Sequence, residues 1–435
     1  MFMLESHLSP EQSQALQAVQ SVAADANLSL FLTGGAMRDM FGGFPIRDLD
    51  FTVEGNALKI AKTLTQKAGA KLVDSDEARR SAELVFPEGV RCEVAMARSE
   101  KFAKPGQAPR VQPATIHEDL RGRDFTINAI ALSLNRASRG LMIDPTNGLA
   151  DLERKELRQV TNYGFYDDPV RMLRMVRLKA RLGFTVEERT LGSYRNARES
   201  EMEKNIAPHQ LLNEMRLLAF EPDPLACLKA WEEEGLLQLF SPALTGSKLN
   251  APTFQRLAKI KAQIPFASGI TIDDYALNLW VATELLTPKE KAALIASLKM
   301  LKADTDPWQK LDQRSKKLEG LVKSARLTRA SQIYDILKKA RGEEMLYLYL
   351  NSKLRTVQDR IKNHFTKYLP TMLDVSDSEV AEAYSIDPSS PKFAKAKAER
   401  ISLRLDGKVR KPAPPPVVEA PPPPPRGMGR ASRFR

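Results

Sequence analysis

Hydrophobic and polar positions follow two different periods along the chain. In the first part, short apolar runs such as LSLFLT at 28–33 end in polar turns, a pattern typical of buried strands. Further strands are predicted at 48–53, 82–86, 91–97 and 127–134, and helices at 10–24, from about 36, and at 57–68. The first part is therefore expected to mix α and β structure.

From residue 167 onward, apolar residues fall three and four positions apart, as at Ile333, Ile336 and Leu337. This is the spacing of one face of an α-helix, and no further strand is predicted. From Lys408 the chain holds nine prolines and seven basic residues against one acid, Glu419. That composition is typical of a disordered arm, which we interpret equally as a solubilising extension or as an arm that holds RNA.

Composition narrows the class of protein and of site. The 435 residues carry a formal net charge of +12, which favours a polyanionic partner such as RNA. No signal-peptide pattern and no apolar run of about 18 residues is present, so we expect a cytoplasmic protein without a membrane partner. Two cysteines and four scattered histidines suggest neither a disulfide framework nor a zinc site. Any metal ion is therefore expected to have oxygen ligands.

Asp48 and Asp50 stand where a polar loop enters an apolar strand. Side chains two residues apart on a strand share a face, so both carboxylates are expected to point to one place. Such a pair binds Mg²⁺ together with phosphates and suits in-line phosphoryl transfer, although a turn and strand cap has the same pattern. Glu93, on the strand predicted at 91–97, fits a third metal ligand and an ordinary amphipathic strand equally well.

Gly34-Gly35 follows the first predicted strand and opens a helix. This placement offers free backbone N–H groups to a triphosphate, and Arg38, on the first turn of the helix, adds a donor group. The alternative is a turn that needs glycine only for a positive φ. Asp39 is expected to be a structural partner or a solvated residue.

A polar cluster, RGRDFTIN at 121–128, leads into the apolar segment AIAL. Arg123 is predicted to contact triphosphate oxygens. Asp124 and Asn128 are predicted either to hydrogen-bond a ribose or to brace the local backbone.

A helix is predicted to begin at Asp167-Asp168-Pro169, with an acid at its N-cap. Four arginines form a band on one face, and such a band is usually solvated. Asp168 and the first arginine, one turn apart, together offer an acceptor and a planar donor group, the set needed to read the edge of a nucleobase. The arginines are Arg171, Arg174, Arg177 and Arg181.

In this order, GGAMRD, DLD, GRDFTINA and DDPVRMLRMVRLKARLGF resemble the class II tRNA nucleotidyltransferase and bacterial poly(A) polymerase family. The resemblance covers roughly 31–219 and includes IDPTNGLADL at 143–152. It implies an α+β fold, in which an N-terminal nucleotidyltransferase head with a mixed β-sheet and helices precedes all-α neck, body and tail regions. We place the head at 1–160, the neck at 161–225, the body and tail at 226–405 and a disordered Pro-rich basic tail at 406–435.

The resemblance also implies an activity and a set of site residues. The activity is the template-free transfer of nucleotides from CTP, ATP or both to the 3′-hydroxyl of tRNA with release of pyrophosphate, and it depends on Mg²⁺. By motif position, Asp48 and Asp50 are the catalytic metal ligands, with Glu93 as a third. The expected nucleotide contacts are Gly34, Gly35, Arg38, Arg123, Asp124, Asn128, Asp168, Arg171, Arg174 and Arg177.

The chain departs from the family pattern at three places. Gly122 stands where an arginine is usual, which leaves the triphosphate role to Arg123 or to a shifted Arg121. Asp167 replaces a glutamate, and His209-Gln210 replaces a Glu-Arg pair, while Glu214 is in place. The segment 74–87 is either the mobile loop with which the family switches nucleotides or an ordinary connection.

Two other functions remain open. A poly(A) polymerase shares this head and neck and extends RNA with ATP. An inactive RNA-binding protein of the same fold is disfavoured by the intact Asp48 and Asp50, because carboxylates beside RNA are repulsive without a metal ion. The sequence does not indicate whether C, A or both are added, nor the oligomeric state.

Overall fold

The computed structural model describes residues 2–87, 89–105 and 107–411. The chain divides into two compact units. The first comprises Met1–Arg256 with Asp273–Leu311, and the second Leu257–Ile272 with Asp312–Arg435. Most of the Pro-rich tail predicted at 406–435 lies outside the described residues, and the four-part division predicted from the sequence stays a prediction.

A mixed β-sheet organises the first part of the first unit. The strands are β1 (Ser29–Thr33), β2 (Leu49–Glu54), β3 (Lys71–Asp76), β4 (Ser81–Val85), β5 (Arg91–Met96), β6 (Arg98–Lys101), β7 (Arg110–Pro113), β8 (Ala131–Ser133), β9 (Met142–Ile143), β10 (Glu156–Leu157) and β11 (Thr185–Val186). Within the described residues, seven of them hydrogen-bond in the order β3-β4-β5-β2-β1-β8-β9. The β2–β5 pair is parallel and the other neighbours are antiparallel. The predicted α+β fold with a mixed sheet is confirmed.

Helices flank this sheet and make up most of the remaining chain. They are α1 (Phe2–His7), α2 (Pro10–Asp25), α3 (Gly34–Phe41), α4 (Ala57–Lys67), α5 (Ile116–Gly122), α6 (Gly148–Arg154), α7 (Gly164–Asp167), α8 (Val170–Leu182), α9 (Glu188–Glu199), α10 (Pro208–Ala219), α11 (Pro224–Glu233), α12 (Ala251–Lys261), α13 (Asp274–Thr283), α14 (Pro288–Ser297), α15 (Lys302–Gln309), α16 (Leu311–Val322), α17 (Ala330–Leu337), α18 (Gly342–Asn351), α19 (Arg355–Asn363), α20 (Leu369–Asp374), α21 (Asp377–Tyr384) and α22 (Phe393–Leu405). Short 3₁₀ turns occur at Thr126–Asn128, Met202–Asn205, Leu237–Leu239, Gly246–Leu249 and Phe266–Ser268, and a π-helical turn at His364–Tyr368.

The helices α2 and α4 pack against each other and cover the sheet. Ser9 caps α2 by accepting a hydrogen bond from the backbone N–H of Gln12, and Asn56 caps α4 in the same way. Ile60 and Leu64 lie on the buried face of α4, which contacts β5, and Val94 of β5 is fully buried. Burial of these apolar faces fixes the register of the sheet, because a slip of one residue would turn each buried side chain outward.

Two sequence predictions about strands are corrected. The segment 127–134 begins with a 3₁₀ turn, Thr126–Asn128, and only its end forms β8. A strand does occur after residue 167: Thr185 and Val186, which follow the turn at Gly183, pair in parallel with β10. The helical period of the flanking residues concealed this two-residue strand.

Most of the segment 74–87 belongs to the β3–β4 hairpin. Its role as the mobile loop that switches nucleotides stays a prediction.

The helix α8 is held by α10 and α11, which belong to the same unit. The indole N–H of Trp231, on α11, donates to the carbonyl of Leu173 at 2.9 Å, and the Trp231 ring stacks on Phe240 with centroids 5.0 Å apart. Gly183 ends α8 in a left-handed conformation with φ of 67°, which glycine adopts without strain. The first turn of α8 is thereby held at a defined place in the unit.

The second unit is helical in its described part. The carboxylate of Asp406 accepts hydrogen bonds from the backbone and the hydroxyl of Ser331, which ties the end of α22 to α17. Glu379 pairs with Arg400 and Arg404 of α22. Among the residues that the structure describes, no helix is both long and apolar enough to cross a lipid bilayer.

Candidate active site

Two neighbouring parallel strands, β2 and β5, bring three carboxylates together at the edge of the sheet where both strands begin. Asp48 directly precedes β2, Asp50 lies on β2, and Glu93 is the register partner of Asp50 on β5. Leu49, between the two aspartates, is fully buried, which confirms the alternation expected of a strand. The predicted pair of aspartates and Glu93 therefore lie together.

The Gly34-Gly35 turn contacts this carboxylate pair directly. The backbone N–H of Gly35 donates to Asp50 Oδ2 at 2.7 Å. It is therefore not free for a phosphate, which corrects the sequence interpretation: Asp50 is the nearer acceptor. Gly34 has a φ of 62°, and a Cβ there would lie 2.8 Å from Asp50 Oδ2. Glycine is required because the turn closes over a carboxylate.

The aspartates of this edge lack cationic partners. In the part of the chain that the structure describes, no lysine or arginine forms an ion pair with Asp48, Asp50 or Glu93. Burial, followed by the charges of Glu93 and Asp48, raises the pKa of Asp50 from its ordinary value of 3.8 to about 7. Asp48 is more exposed than Asp50, and partial desolvation by neighbouring residues raises the pKa of Asp48 as well. A cation at this edge would relieve the repulsion.

The chemistry of these donors fits a hard divalent cation, which prefers carboxylate oxygens and completes its shell with water and phosphates. Within the described ranges, no group of three or more His, Cys, Asp or Glu side chains forms a complete metal site. The two aspartates would thus hold a metal ion whose coordination shell is completed by water or by substrate oxygens. The role of Glu93 as a ligand stays a prediction.

Arg123 lies against the same edge but is already hydrogen-bonded. Its Nε and Nη2 donate to Asp119 at 3.0 and 2.9 Å, and Nη2 also donates to the hydroxyl of Thr52 at 3.0 Å. Burial alone would lower the pKa of Arg123, but Asp119 and then Asp50 raise it, so the guanidinium stays charged. Arg123 borders the site, whereas Arg121 is exposed and does not line it.

Asp124 and Asn128 brace each other, as one of the two sequence interpretations expected. Asn128 donates to Asp124 Oδ1 at 3.0 Å, and its own Oδ1 accepts from Arg38 at 2.8 Å. Burial would raise the pKa of Asp124, but Arg174 and Arg171 hold it well below its ordinary value. Arg38 is buried on the second turn of α3, not the first, and also pairs with Asp39 at 2.9 Å. The structural role predicted for Asp39 is confirmed.

The arginine band of α8 is not a solvated face, although a band of this kind usually is. Arg174 pairs with Asp124 at 2.8 Å and with Glu214 at 3.2 Å, and Arg177 is 5% exposed and pairs with Glu214 at 2.9 Å. This face of α8 is turned toward carboxylates that are distant in sequence. Arg177 and Arg181 both pair with Glu221, and Arg181 also pairs with Asp39 at 2.7 Å.

These contacts close into a circuit, which we call the arginine ring. It runs from α3 through the 124–128 turn to α8 and α10 and back to α3. Its members are Arg38, Asp39, Arg181, Glu221, Arg177, Glu214, Arg174, Asp124 and Asn128. Paired buried charges of this kind hold elements in one arrangement, because loss of one partner leaves the other uncompensated. Arg174 and Arg177, predicted to contact a nucleotide, are hydrogen-bonded within this ring.

Asp168 and Arg171, by contrast, keep unused hydrogen-bonding capacity. Arg171 donates to the carbonyls of Gly122 and Arg123 at 3.0 and 3.2 Å. Its Nε is buried and has no hydrogen-bond partner among the described residues, and it lies 3.8 Å from Asp168 Oδ2. Asp168 had been expected at the N-cap of α8. Its side chain does not cap the helix, and its Oδ1 instead accepts a hydrogen bond from Gln210.

One cavity of about 680 Å³ joins these groups. Asp48, Asp50 and Glu93 line one side of it, and Asp168 and Arg171 line another. Every nucleotide contact predicted from the sequence also borders it, which brings all the predicted site residues together. Sequence reasoning missed Asp119, whose i,i+4 spacing to Arg123 on a helix is a detectable signal, and Glu221, for which no local signal exists.

Comparison with known proteins agrees with this geometry. Residues 30–158 match the family model described as the poly A polymerase head domain. The A-adding tRNA nucleotidyltransferase of Halalkalibacterium halodurans is 33% identical over 258 residues, which cover 59% of this chain and 59% of that protein. The CCA-adding enzyme of Marinobacter nauticus is 31% identical over 289 residues, or 64% of this chain and 70% of that enzyme. The chain thus spans about three fifths of the length of the A-adding relative.

A solved structure shares the fold. The second apo form of a CCA-adding enzyme superposes with a TM-score of 0.52 at 24% identity, over 94% of this chain and 95% of that one. At this identity the likeness concerns the fold alone. It agrees with a mixed-sheet region followed by helices.

Proposed function

Since the chain belongs to the family of tRNA nucleotidyltransferases and poly(A) polymerases, we propose that it adds nucleotides from CTP, ATP or both to the 3′ end of tRNA. Nucleotidyltransferases of this family generally depend on a divalent metal ion. The observation that carries the proposal is the single cavity in which unpaired carboxylates face a buried Asp-Arg pair with spare hydrogen-bonding capacity.

In this proposal Asp48 and Asp50 hold Mg²⁺, with Glu93 as a third ligand beside Asp50. When bound, the metal ion supplies charge stabilisation for the displacement at the α-phosphate. The 3′-hydroxyl oxygen forms the new bond to the α-phosphorus, and the bond from that phosphorus to the leaving pyrophosphate breaks. Gly35 orients the Asp50 carboxylate through its N–H, while Gly34 and Arg38 border the space for the triphosphate.

Asp168 and Arg171 read the base in this proposal. The Oδ2 of Asp168 accepts a hydrogen bond from an exocyclic amino group, and an N–H of the Arg171 guanidinium donates to the adjacent ring nitrogen. Cytosine and adenine both present this donor-acceptor pair, whereas uracil presents a carbonyl and an N–H in the same places. Arg123, Asp124, Asn128, Arg174 and Arg177 serve the nucleotide mainly by holding these groups in position.

The test supplies the full-length protein with Mg²⁺, each labelled triphosphate in turn, and tRNA that lacks one, two or three of its 3′-terminal nucleotides. We expect addition of at most three residues, drawn from C and A, and no extension of tRNA with an intact CCA end. Absence of incorporation from both CTP and ATP, on every truncated tRNA, would overturn the proposal.

A poly(A) polymerase is the second candidate, favoured by the match to a poly A polymerase head domain. ATP alone with an unstructured RNA separates the two functions. Long A tracts on that RNA would identify the polymerase, and a single addition confined to tRNA would identify the tRNA enzyme. A cytoplasmic location remains a prediction.

A further inference from the structure

A glutamine on α10 contacts the proposed base-reading aspartate. The side-chain Nε2 of Gln210 donates to Asp168 Oδ1 at 2.9 Å. The other amide atom, Oε1, accepts from the backbone N–H of Ala207 at 3.1 Å, at the start of α10. Because a backbone N–H can only donate, the amide orientation is determined, and Nε2 must be the atom that faces Asp168.

Because of this contact, the two carboxylate oxygens of Asp168 differ in their hydrogen-bond partners. Oδ1 is occupied by Gln210, so the carboxylate is held in one rotamer. Oδ2 remains for a ligand and lies 3.8 Å from Arg171 Nε. Asp168 is 7% exposed, and both it and Gln210 line the cavity. A buried carboxylate that is held at one oxygen and open at the other has a defined acceptor direction.

We propose that Gln210 is a positioning residue for nucleotide selection: it aims Asp168 Oδ2 at the exocyclic amino group of cytosine or adenine. This inference rests on the proposed function and deepens it. Without the Gln210 donor, Asp168 rotates and tolerates bases that present a carbonyl at that place. Selectivity for CTP over UTP, and for ATP over ITP, then falls, because both disfavoured bases carry a carbonyl where the favoured ones carry an amino group.

The two atoms of the Gln210 amide have different partners. The two amide atoms also allow the positioning role to be separated from a merely structural one. Oε1 supports the first turn of α10, whereas Nε2 alone reaches Asp168.

Two substitutions use this separation. Gln210→Glu keeps an oxygen that accepts from Ala207 N–H but replaces the donor with a second carboxylate, which repels Asp168. Gln210→Arg keeps a donor for Asp168 and removes the oxygen. Gln332→Glu is the matched control, because Gln332 accepts from the backbone N–H of Arg329 at the start of α17, in the other unit.

The experiment measures kcat/KM of the full-length protein for CTP, UTP, ATP and ITP on truncated tRNA, together with the thermal midpoint of each variant. We expect Gln210→Glu to lower the CTP/UTP and ATP/ITP ratios at least about tenfold, the effect of one hydrogen bond to a charged group. Its thermal midpoint should stay well above the assay temperature, with Gln332→Glu giving the change due to the helix start alone. Gln210→Arg should keep the wild-type ratios within about threefold despite any loss of stability.

Wild-type ratios in Gln210→Glu would overturn the inference, as would an equal loss of selectivity in Gln210→Glu and Gln210→Arg. Failure of the proposed function is distinct, because the wild-type protein would then incorporate neither CTP nor ATP.

Discussion

Two groups of carboxylates border the same cavity and differ in how their charge is balanced. Asp48, Asp50 and Glu93 form no ion pair in the described part of the chain, and the pKa of Asp50 rises to about 7. The ring carboxylates, such as Asp124 and Glu214, each contact at least one arginine, and the pKa of Asp124 is held below its ordinary value. The first group therefore forms a site that requires a bound cation. The second forms a frame in which arginines already balance the carboxylates.

The largest expected effect concerns the unpaired group. Asp50→Asn preserves the shape of the side chain and an oxygen that accepts from Gly35 N–H, but it removes a metal-binding charge. Nucleotide addition should fall at least about 1000-fold, since metal coordination provides several kcal/mol of transition-state stabilisation. The thermal midpoint without metal should not fall, because an uncompensated buried charge is removed.

Both quantities are measured on one preparation, the first by single-turnover addition to truncated tRNA and the second by differential scanning. Two results would contradict the distinction between the unpaired and the paired carboxylates. One is that Asp50→Asn keeps its activity, and the other is that it loses activity because the protein unfolds.

A substitution in the paired group should lower stability more than activity. Glu221→Gln removes one of the two carboxylate partners of Arg177 and one of the two of Arg181, and both arginine side chains are buried. Breaking a buried pair of this kind costs about 3 kcal/mol of unfolding free energy. Addition at a temperature well below the midpoint should stay within about tenfold of the wild type.

Urea denaturation provides the measurement, and Glu201→Gln provides the control, since its pair with Lys204 is exposed on both sides and should contribute less than about 1 kcal/mol. An equal effect of the two substitutions would mean that the arginine ring is not a stabilising frame.

The smallest expected effect is a dependence of metal binding on pH. The folded-state pKa of Asp50 lies above its ordinary value of 3.8, so between about pH 4 and pH 7 the folded protein holds a proton that the unfolded chain has released. For this group, stability without metal therefore decreases as the pH rises through that window. A metal ion binds the deprotonated form, so Mg²⁺ should raise the thermal midpoint more at pH 8 than at pH 5.5.

Asp50→Asn should abolish this difference between the two pH values. An equal Mg²⁺ effect at both pH values in the wild-type protein would contradict the account of the unpaired carboxylates.

The part of the site that is local in sequence was predictable. The spacing of Asp48 and Asp50 on a strand places them on one face, and the Gly34-Gly35 turn follows directly from the end of β1. What the turn contacts was not predictable: the acceptor of the Gly35 N–H lies on another strand. Likewise, the proximity of Glu93 to Asp50 depends on the parallel pairing of β2 with β5, which no local pattern indicates.

The partners of the α8 arginines could not be predicted from the sequence for the same reason. A helical period predicts which face they share but not what covers it. Arg177 meets Glu214, 37 positions away, and Arg181 meets Asp39 across 142 positions. Two interpretations of the band were therefore open, a solvated face and a set of nucleotide contacts. The long-range fold converts it into a buried frame and leaves Arg171 alone with a free donor.

The most direct test of the central claim, that the unpaired carboxylates form the metal centre, is a titration of Mn²⁺ followed by electron paramagnetic resonance at pH 8. We expect the wild-type protein and Glu221→Gln to bind the ion with similar affinity and Asp50→Asn to lose that binding. Unchanged Mn²⁺ binding in Asp50→Asn would contradict the claim.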